Sequence, residues 1–469
     1  MTRLGALRVL VITAAVLTGA CASAPKYERP AVQTPSSYKE AGPWKVAQPR
    51  DDIQRGKWWE IFGDARLNTL MGEIDISNQN VRFAEAQYRQ ARALAQQARS
   101  GLFPRVSGDV SAGRSATRSG VNNDFNLSLD AAWEADIWGR IGSSVAANVA
   151  GAQAGAAQIE AARLSAQGEL ALNYFQLRVL DVQRKLLDES VAAFQKSLEL
   201  TRNRYAAGVA GRVDVVQGET QLKSTQAQAI DVGVQRAQLE NAIAVLTGKA
   251  PGDFALTMES SRLAVPAVPV SVPSELLERR PDIAAAERRV AAANAQIGVA
   301  RSALFPSLNL SASGGFSSTS FSSWLTVPGR VWALGAALAQ TIFDGGLRRA
   351  ITDQAVAAYD GTVASYRLTV LAGFQEVEDN LAALRILEQE AKVQDEAVQA
   401  ARLTVELTLN QYKAGIVSYL NVVLAQTALL TNERTAAGVL GRRLAAAVSL
   451  VKALGGGWNS VQLPADGLR

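Results

Sequence analysis

The chain has 469 residues, room for two or three ordinary domains or one long architecture. It is 48% hydrophobic and 19% charged, too apolar for a disordered tail and too charged for a bundle of membrane helices. Lys and Arg number 48 against 43 Asp and Glu, and a net charge of +5 makes no case for a nucleic-acid partner. There is no histidine, which removes Ser-His-Asp and Cys-His catalysis, imidazole metal sites and His proton shuttles together. The single cysteine, Cys21, excludes an intrachain disulfide and any thiolate cluster. No GxxxxGK[ST] or GxGxxG phosphate loop occurs. The expectation is therefore a protein without enzymatic activity, cofactor, catalytic residue or metal site.

Residues 1–20 read as an export signal. Arg3 and Arg8 form a positive start, and Val9 to Leu17 a short apolar run that falls below the roughly 20 residues of a membrane span. Leu17-Thr18-Gly19-Ala20-Cys21 is similar to a lipobox, with Thr18 where a large aliphatic residue is usual, so Cys21 is the candidate lipidation site. The alternative is a plain signal peptide cut near Ala20. Ala22 is not the aspartate that commonly retains lipoproteins in the inner membrane. Five prolines between residues 22 and 50 predict an extended N-terminal linker over 21–55.

The remainder says similar things twice, about 200 residues apart. Ala98-Arg99-Ser100-Gly101-Leu102-Phe103-Pro104 returns as Ala300-Arg301-Ser302-Ala303-Leu304-Phe305-Pro306, and Asn203-Arg204-Tyr205-Ala206-Ala207-Gly208 as Asn410-Gln411-Tyr412-Lys413-Ala414-Gly415. Asp136-Ile137-Trp138 aligns with Thr341-Ile342-Phe343. These matches predict two units, 56–265 and 266–463, followed by a tail over 464–469. In each unit a helical run (about 66–100, then 280–302) stops at Leu-Phe-Pro, because proline cannot continue a helix. Strands are predicted next, at 105–117 and 123–138, then at 307–320 and 330–343.

Phe125, Leu127, Leu129, Ala131 and Trp133 alternate with polar residues. A sandwich strand has this pattern, and so does a transmembrane strand with one side to lipid. Trp133, Trp138, Trp324 and Trp332 lie in or beside the strands, as candidates for interfacial aromatic belts or as core tryptophans. Proline-free tracts over 141–248 and 345–454 then predict long helices with heptad seams, Leu172, Val179, Leu186, Ala193 and Leu200 in the first and Val377, Leu384, Ala391, Val398, Val405 and Tyr412 in the second. Each tract breaks at Gly208 or Gly415, as a helical hairpin would.

The pattern resembles the outer-membrane factors of tripartite efflux pumps, the TolC/OprM-like family, and within it the lipoprotein branch resembling OprM. Trp58-Trp59-Glu60-Ile61-Phe62-Gly63-Asp64 with Leu67 and Leu70, the two Leu-Phe-Pro stops, Glu278-Arg279-Arg280-Pro281-Asp282-Ile283 and Lys452-Ala453-Leu454-Gly455-Gly456-Gly457-Trp458 carry the resemblance, which covers nearly all of the mature chain. It implies a mixed α and β membrane protein. The assembly would be a homotrimer sharing a 12-stranded outer-membrane β-barrel, four strands per protomer, continued by a long periplasmic α-helical barrel with a mixed equatorial domain. It implies as partners a periplasmic adaptor, an inner-membrane RND-type transporter and outer-membrane lipid, and as function passive conduction of drugs or other small organic solutes. The outer tunnel of a type I protein secretion system shares the fold. A structural periplasmic coiled-coil lipoprotein is the alternative from another class.

The resemblance places the tip and gate candidates at Tyr205, Gly208, Asp214, Tyr412, Gly415, Val417 and Asn421. Relatives tend to carry an aspartate where Val417 stands, so an acidic gate is in doubt and a more apolar constriction is open. With no histidine and only Met71 and Met258 after the leader, organic solutes are expected over metal ions. The carboxylate pairs Glu376/Glu378 and Glu388/Glu390 are expected to be solvated helix charges.

Overall fold

The computed structural model describes residues 25–40, 57–118, 120–259, 263–268, 276–458 and 460. Cys21, the export signal and the 464–469 tail lie outside the described residues.

Helix α1 (Ala65–Ser77) and helix α2 (Gln79–Ser100) occupy the stretch expected as one run. Asn78 divides them: its backbone is extended, its Oδ1 accepts from the N–H groups of Asn80 and Val81, and its Nδ2 donates to the Leu246 carbonyl at 2.8 Å. A side chain that caps one helix and ties it to a distant one competes with helix continuation. Strands β1 (Arg105–Thr117) and β2 (Gly120–Ala135) follow, then helices α3 (Arg140–Ala206) and α4 (Arg212–Leu246). A single turn, Leu276–Arg279, leads into α5 (Pro281–Ser302), β3 (Ser307–Ser318), β4 (Arg330–Ala339), α6 (Leu347–Lys413) and α7 (Tyr419–Ala453). α3 and α6 are each 67 residues, about 100 Å long.

Four strand ends differ from expectation: β2 starts at Gly120 and stops at Ala135, β3 stops at Ser318 and β4 at Ala339. The cause at β2 is Asp136, whose carboxylate accepts from the N–H groups of Ile141 and Gly142 at 2.8 and 2.7 Å. The chain is turned out of the sheet to cap α3. Asp344 does the same for α6 through Gly346. The heptad seam on α3 follows expectation through Leu172 and buried Val179, then runs one residue later. Leu180, Leu187, Phe194 and Thr201 are buried at intervals of seven, whereas Ala193 is exposed.

The helices lie abreast. Nearer the sheet, α3 packs against α2 and α5, and α5 against α6; further away, α3 packs against α4 and α7, and α7 against α6. Between these tiers sits the main core, built from Trp58, Trp59, Leu67 and Leu70 with Tyr174, Leu177, Leu444 and Val448. Arg178, buried beside it, donates to the Tyr174 hydroxyl at 2.8 Å and lies 3.2 Å from Glu259 and 3.4 Å from Asp64. Asp64 also caps α1, so one ionic knot joins α1, α3 and the segment after α4.

Residues 25–40 are irregular, as their prolines dictate, yet they are docked. Asn294 Nδ2 donates to the Pro25 carbonyl at 2.7 Å, Tyr27 donates to the Glu287 carboxylate, and Arg29 reaches Tyr366 and the Leu277 carbonyl. Further along, the backbone N–H groups of Lys39 and Glu40 donate to Glu378, and Glu40 pairs with Arg385 at 2.7 Å. The segment is a strap along α5 and α6.

Candidate functional site

The four strands form one antiparallel sheet in the order β1-β2-β3-β4. Its register sorts the side chains by face. Val106, Val110 and Ala112 of β1 share one face with Phe125, Leu127, Leu129, Ala131 and Trp133 of β2. Leu308, Leu310, Ala312 and Phe316 of β3 and Trp332, Leu334, Ala336 and Leu338 of β4 complete that face. Ser107, Asp109, Ser111, Asn126, Ser128, Asp130, Asn309, Ser311 and Ser313 occupy the other. The apolar band is about ten residues tall, the length of a membrane-crossing strand, and its β4 residues are exposed. One oily face, and one face that is polar on β1 to β3 and lined by small residues on β4, with the oily one uncovered, is the pattern of a channel wall rather than of a sandwich with a buried middle.

The four tryptophans sit at the two ends of this band. At the helical end, Trp133 Nε1 donates to the Leu102 carbonyl at 3.1 Å, while Trp138 donates to the Pro306 carbonyl and stacks on Phe305 with ring centres 4.9 Å apart. At the far end, Trp324 packs against Phe125 and Phe321, and Trp332 is 77% exposed.

The other extremity carries two helical hairpins. α3 turns into α4 through Gly208 at φ 76, and α6 into α7 through Gly415 at φ 79, a left-handed conformation that only glycine adopts freely. Each turn closes with Schellman bonds, Val209 N–H to Arg204 O at 2.8 Å and Ile416 N–H to Gln411 O at 2.9 Å. Asp214 accepts from the Gly211 N–H at 3.2 Å, and Asn421 donates to Ser418 Oγ at 3.3 Å, so both serve the starts of their returning helices.

The two hairpins are clasped. Arg204 lies over the Tyr412 ring at 4.8 Å and donates to the Tyr412 carbonyl at 2.9 Å. The Tyr412 hydroxyl bonds Thr201 at 3.1 Å, and its ring packs on Tyr419, with Val422 and half-buried Val417 beside them. Tyr412 is 3% exposed, so its contacts are made within the chain itself; Tyr205, by contrast, is exposed. Burial, and then the neighbouring Tyr412, push the Tyr419 hydroxyl up to about 12. Arg204 and Tyr419 are not among the sequence candidates: the Arg204 partner lies 208 residues away, and Tyr419, seven residues after Tyr412, meets it only because the chain turns back on itself between them.

The carboxylate pairs are engaged rather than free. Glu376 binds Arg280 at 2.6 Å, Glu378 receives the strap, Glu388 pairs with Lys392 and Glu390 with Arg442. Among the described residues no group of three or more Cys, Asp or Glu side chains is arranged to hold a metal, and no helix is long and apolar enough to cross a membrane.

A two-faced sheet joined to long clasped hairpins defines an outer-membrane channel component. The chain belongs to the outer membrane efflux protein family, whose sequence model matches residues 70–249 and 272–456, and it is an outer-membrane efflux channel. It is 30% identical to the toluene efflux pump outer membrane protein TtgC of Pseudomonas putida over 460 residues, covering 96% of this chain and 95% of TtgC. It is 28% identical to the cation efflux system protein CusC of Escherichia coli, covering 95% of this chain and 97% of CusC. Among solved structures, the outer-membrane channel OprN superposes with a TM-score of 0.86 at 29% identity, over 93% of this chain and all of OprN.

Proposed function

We propose that the chain is the outer-membrane conduit of a tripartite efflux pump, working as a homotrimer. Three four-stranded sheets close one 12-stranded barrel, and the hairpins continue it as a tunnel across the periplasm. The observation that carries this reading is the sheet itself. It presents an apolar band to lipid, yet in one chain β1 and β4 leave their outer edges unpaired, which is prohibitively costly in a bilayer. The helical flanks are open in the same way: Phe83 and Leu94 on α2, Ile230 and Val234 on α4, and Leu368, Leu371 and Val393 on α6 are exposed apolar side chains.

A periplasmic adaptor docks at the hairpin tips, and an inner-membrane RND-type transporter supplies the energy. Tyr205, Gly208, Asp214, Tyr412, Gly415, Val417 and Asn421 form the tip and gate region, and Trp133, Trp138, Trp324 and Trp332 the two aromatic belts. The two units 56–265 and 266–463 are tandem repeats, a reading supported by their matched helix lengths.

The N-terminus is anchored through acylated Cys21. Strap geometry supports this. Asn294, which holds Pro25, is eight residues (about 12 Å) from the end of α5 at the sheet. Four residues of extended chain reach about 14 Å from Pro25, so Cys21 can reach the foot of the lipid-facing band. The transported solutes are organic. Met71 is fully buried in the core and takes no part in a solute path.

Deletion of the gene, with complementation, tests the reading. Sensitivity to organic solvents, dyes and antibiotics should rise several-fold and return to normal on complementation. Unchanged susceptibility together with loss of a secreted protein would move the assignment to type I secretion.

A further inference from the structure

The sheet sorts its charges as sharply as its apolar side chains. Its strands carry four carboxylates, Asp109, Asp124, Asp130 and Glu134, and the register puts all four on the polar face, together with Arg105. The apolar face carries two charged residues, Arg114 of β1 and Arg330 of β4, and both are arginines. Arg114 pairs with Asn123, two residues before Phe125, and Arg330 pairs with Phe316. Moving either to the polar face would slip the whole ladder by one residue.

Both arginines stand at the end of the sheet remote from the helices. Arg114 lies eight residues beyond Val106 and Arg330 eight before Leu338, about 27 Å along each strand. With a strand tilt of about 40° this is close to the roughly 25 Å height of a transmembrane apolar band. The inference rests on the lipid-facing reading above, under which the two arginines mark the outer-leaflet interface. An arginine facing lipid is costly at the bilayer midplane and nearly free of cost at its surface. At the helical end Arg140 pairs with Glu134 and Arg348 with Asp344, both at 2.6 Å. Arg114 and Arg330 are exposed and form no ion pair among the described residues.

The segment between β3 and β4 adds an apolar shelf. Phe321 and Trp324 pack on Phe125, a residue of the apolar face, with ring centres 5.6 and 5.8 Å away. Phe321, Leu325 and Val327 stay exposed, as does Trp332, two residues from Arg330. Unpaired guanidinium groups beside an oily surface, on a face without a carboxylate, suit an amphiphile with a phosphate head and acyl tails. We propose that Arg114 and Arg330 bind the phosphates of lipid A, the glycolipid of the outer leaflet, and that the Phe321–Trp324 shelf receives its acyl chains.

The test uses the full chain purified from outer membranes in detergent, with native mass spectrometry to measure bound lipid. The wild type should bind bisphosphorylated lipid A about tenfold more tightly than its dephosphorylated form, a comparison that needs no variant. Arg114→Gln with Arg330→Gln should weaken binding of the phosphorylated form about tenfold and leave the other unchanged, while Arg105→Gln, on the polar face, should alter neither. Equal affinity of the wild type for the two forms, or no loss in the double variant, would overturn the site. Phosphatidylglycerol binding as tightly as lipid A would make it a general anionic-lipid surface. Displacement by inorganic phosphate at equal concentration would make it an adventitious ion only, and either result overturns the assignment. The lipid-facing reading is checked separately with brominated acyl chains, which should quench the fluorescence that Trp332→Phe removes. Absence of quenching would overturn that reading and the site with it.

Discussion

Arg204 on the first hairpin and Tyr412 on the second are bound to each other twice, through the face of the Tyr412 ring and through its backbone carbonyl. The contact joins two helices whose sequence positions are 208 apart, and it seals the same few ångströms in which both hairpins turn.

Arg204→Ala should therefore loosen the tips without unfolding the protein, since a cation–π contact and charge-assisted hydrogen bonds to the Tyr412 and Lys413 carbonyls are together worth about 1–3 kcal/mol. Cells carrying it should become several-fold more sensitive to large antibiotics normally kept out, such as vancomycin. Unchanged sensitivity, with normal amounts of trimer in the membrane, would show that the clasp plays no part in closure.

Gly218 allows α4 to approach Tyr419. A Cβ there would stand 2.9 Å from the tyrosine hydroxyl and 3.0 Å from Leu198 Cδ1. Gly218→Ala should cost about 1–3 kcal/mol by overpacking and lower the thermal midpoint of the detergent-solubilised protein. Gly233→Ala, at an open helical position, is the control and should leave the midpoint unchanged or raise it.

Tyr419 also gives a dependence on pH. Its hydroxyl is neutral in the fold up to about 12, whereas in an unfolded chain it ionises near 10. Between these values the folded state holds the extra proton. The contribution to stability is full below about pH 10 and is lost as pH rises through about 12. Thermal midpoints should fall over that window in the wild type, and Tyr419→Phe should flatten the fall.

Removing Arg178 would leave Asp64 and Glu259 facing each other's charge beside the core, with the Tyr174 hydroxyl deprived of a donor. Arg178→Ala should cost about 3 kcal/mol, far more than Arg202→Ala, whose 2.6 Å pair with Glu219 is solvent-exposed. Chemical denaturation of the two variants side by side checks the order.

Much of the channel wall was legible in the chain. The alternation from Phe125 to Trp133 gave its lipid face, and the glycines at 208 and 415 gave its turns, because both signals are local. Strand ends were less legible, since Asp136 and Asp344 look like ordinary strand-flanking acids until the helix N–H groups they satisfy are in place. The composition of the strap signals only an extended linker. Prolines hide its docking, which depends on Asn294, Glu287 and Glu378, residues 260 or more positions away. The tip contacts fall in the same class: the place of Tyr412 beside a turn is local, but its partners Arg204 and Thr201 lie on another helix.

The open margins of β1 and β4 bear on how the protein comes into being. A solitary copy has no resting place, being too greasy along one face for water and too bare along two margins for the bilayer. On the trimeric reading proposed above, insertion and association are a single event, and a newly exported chain is shielded until two others arrive.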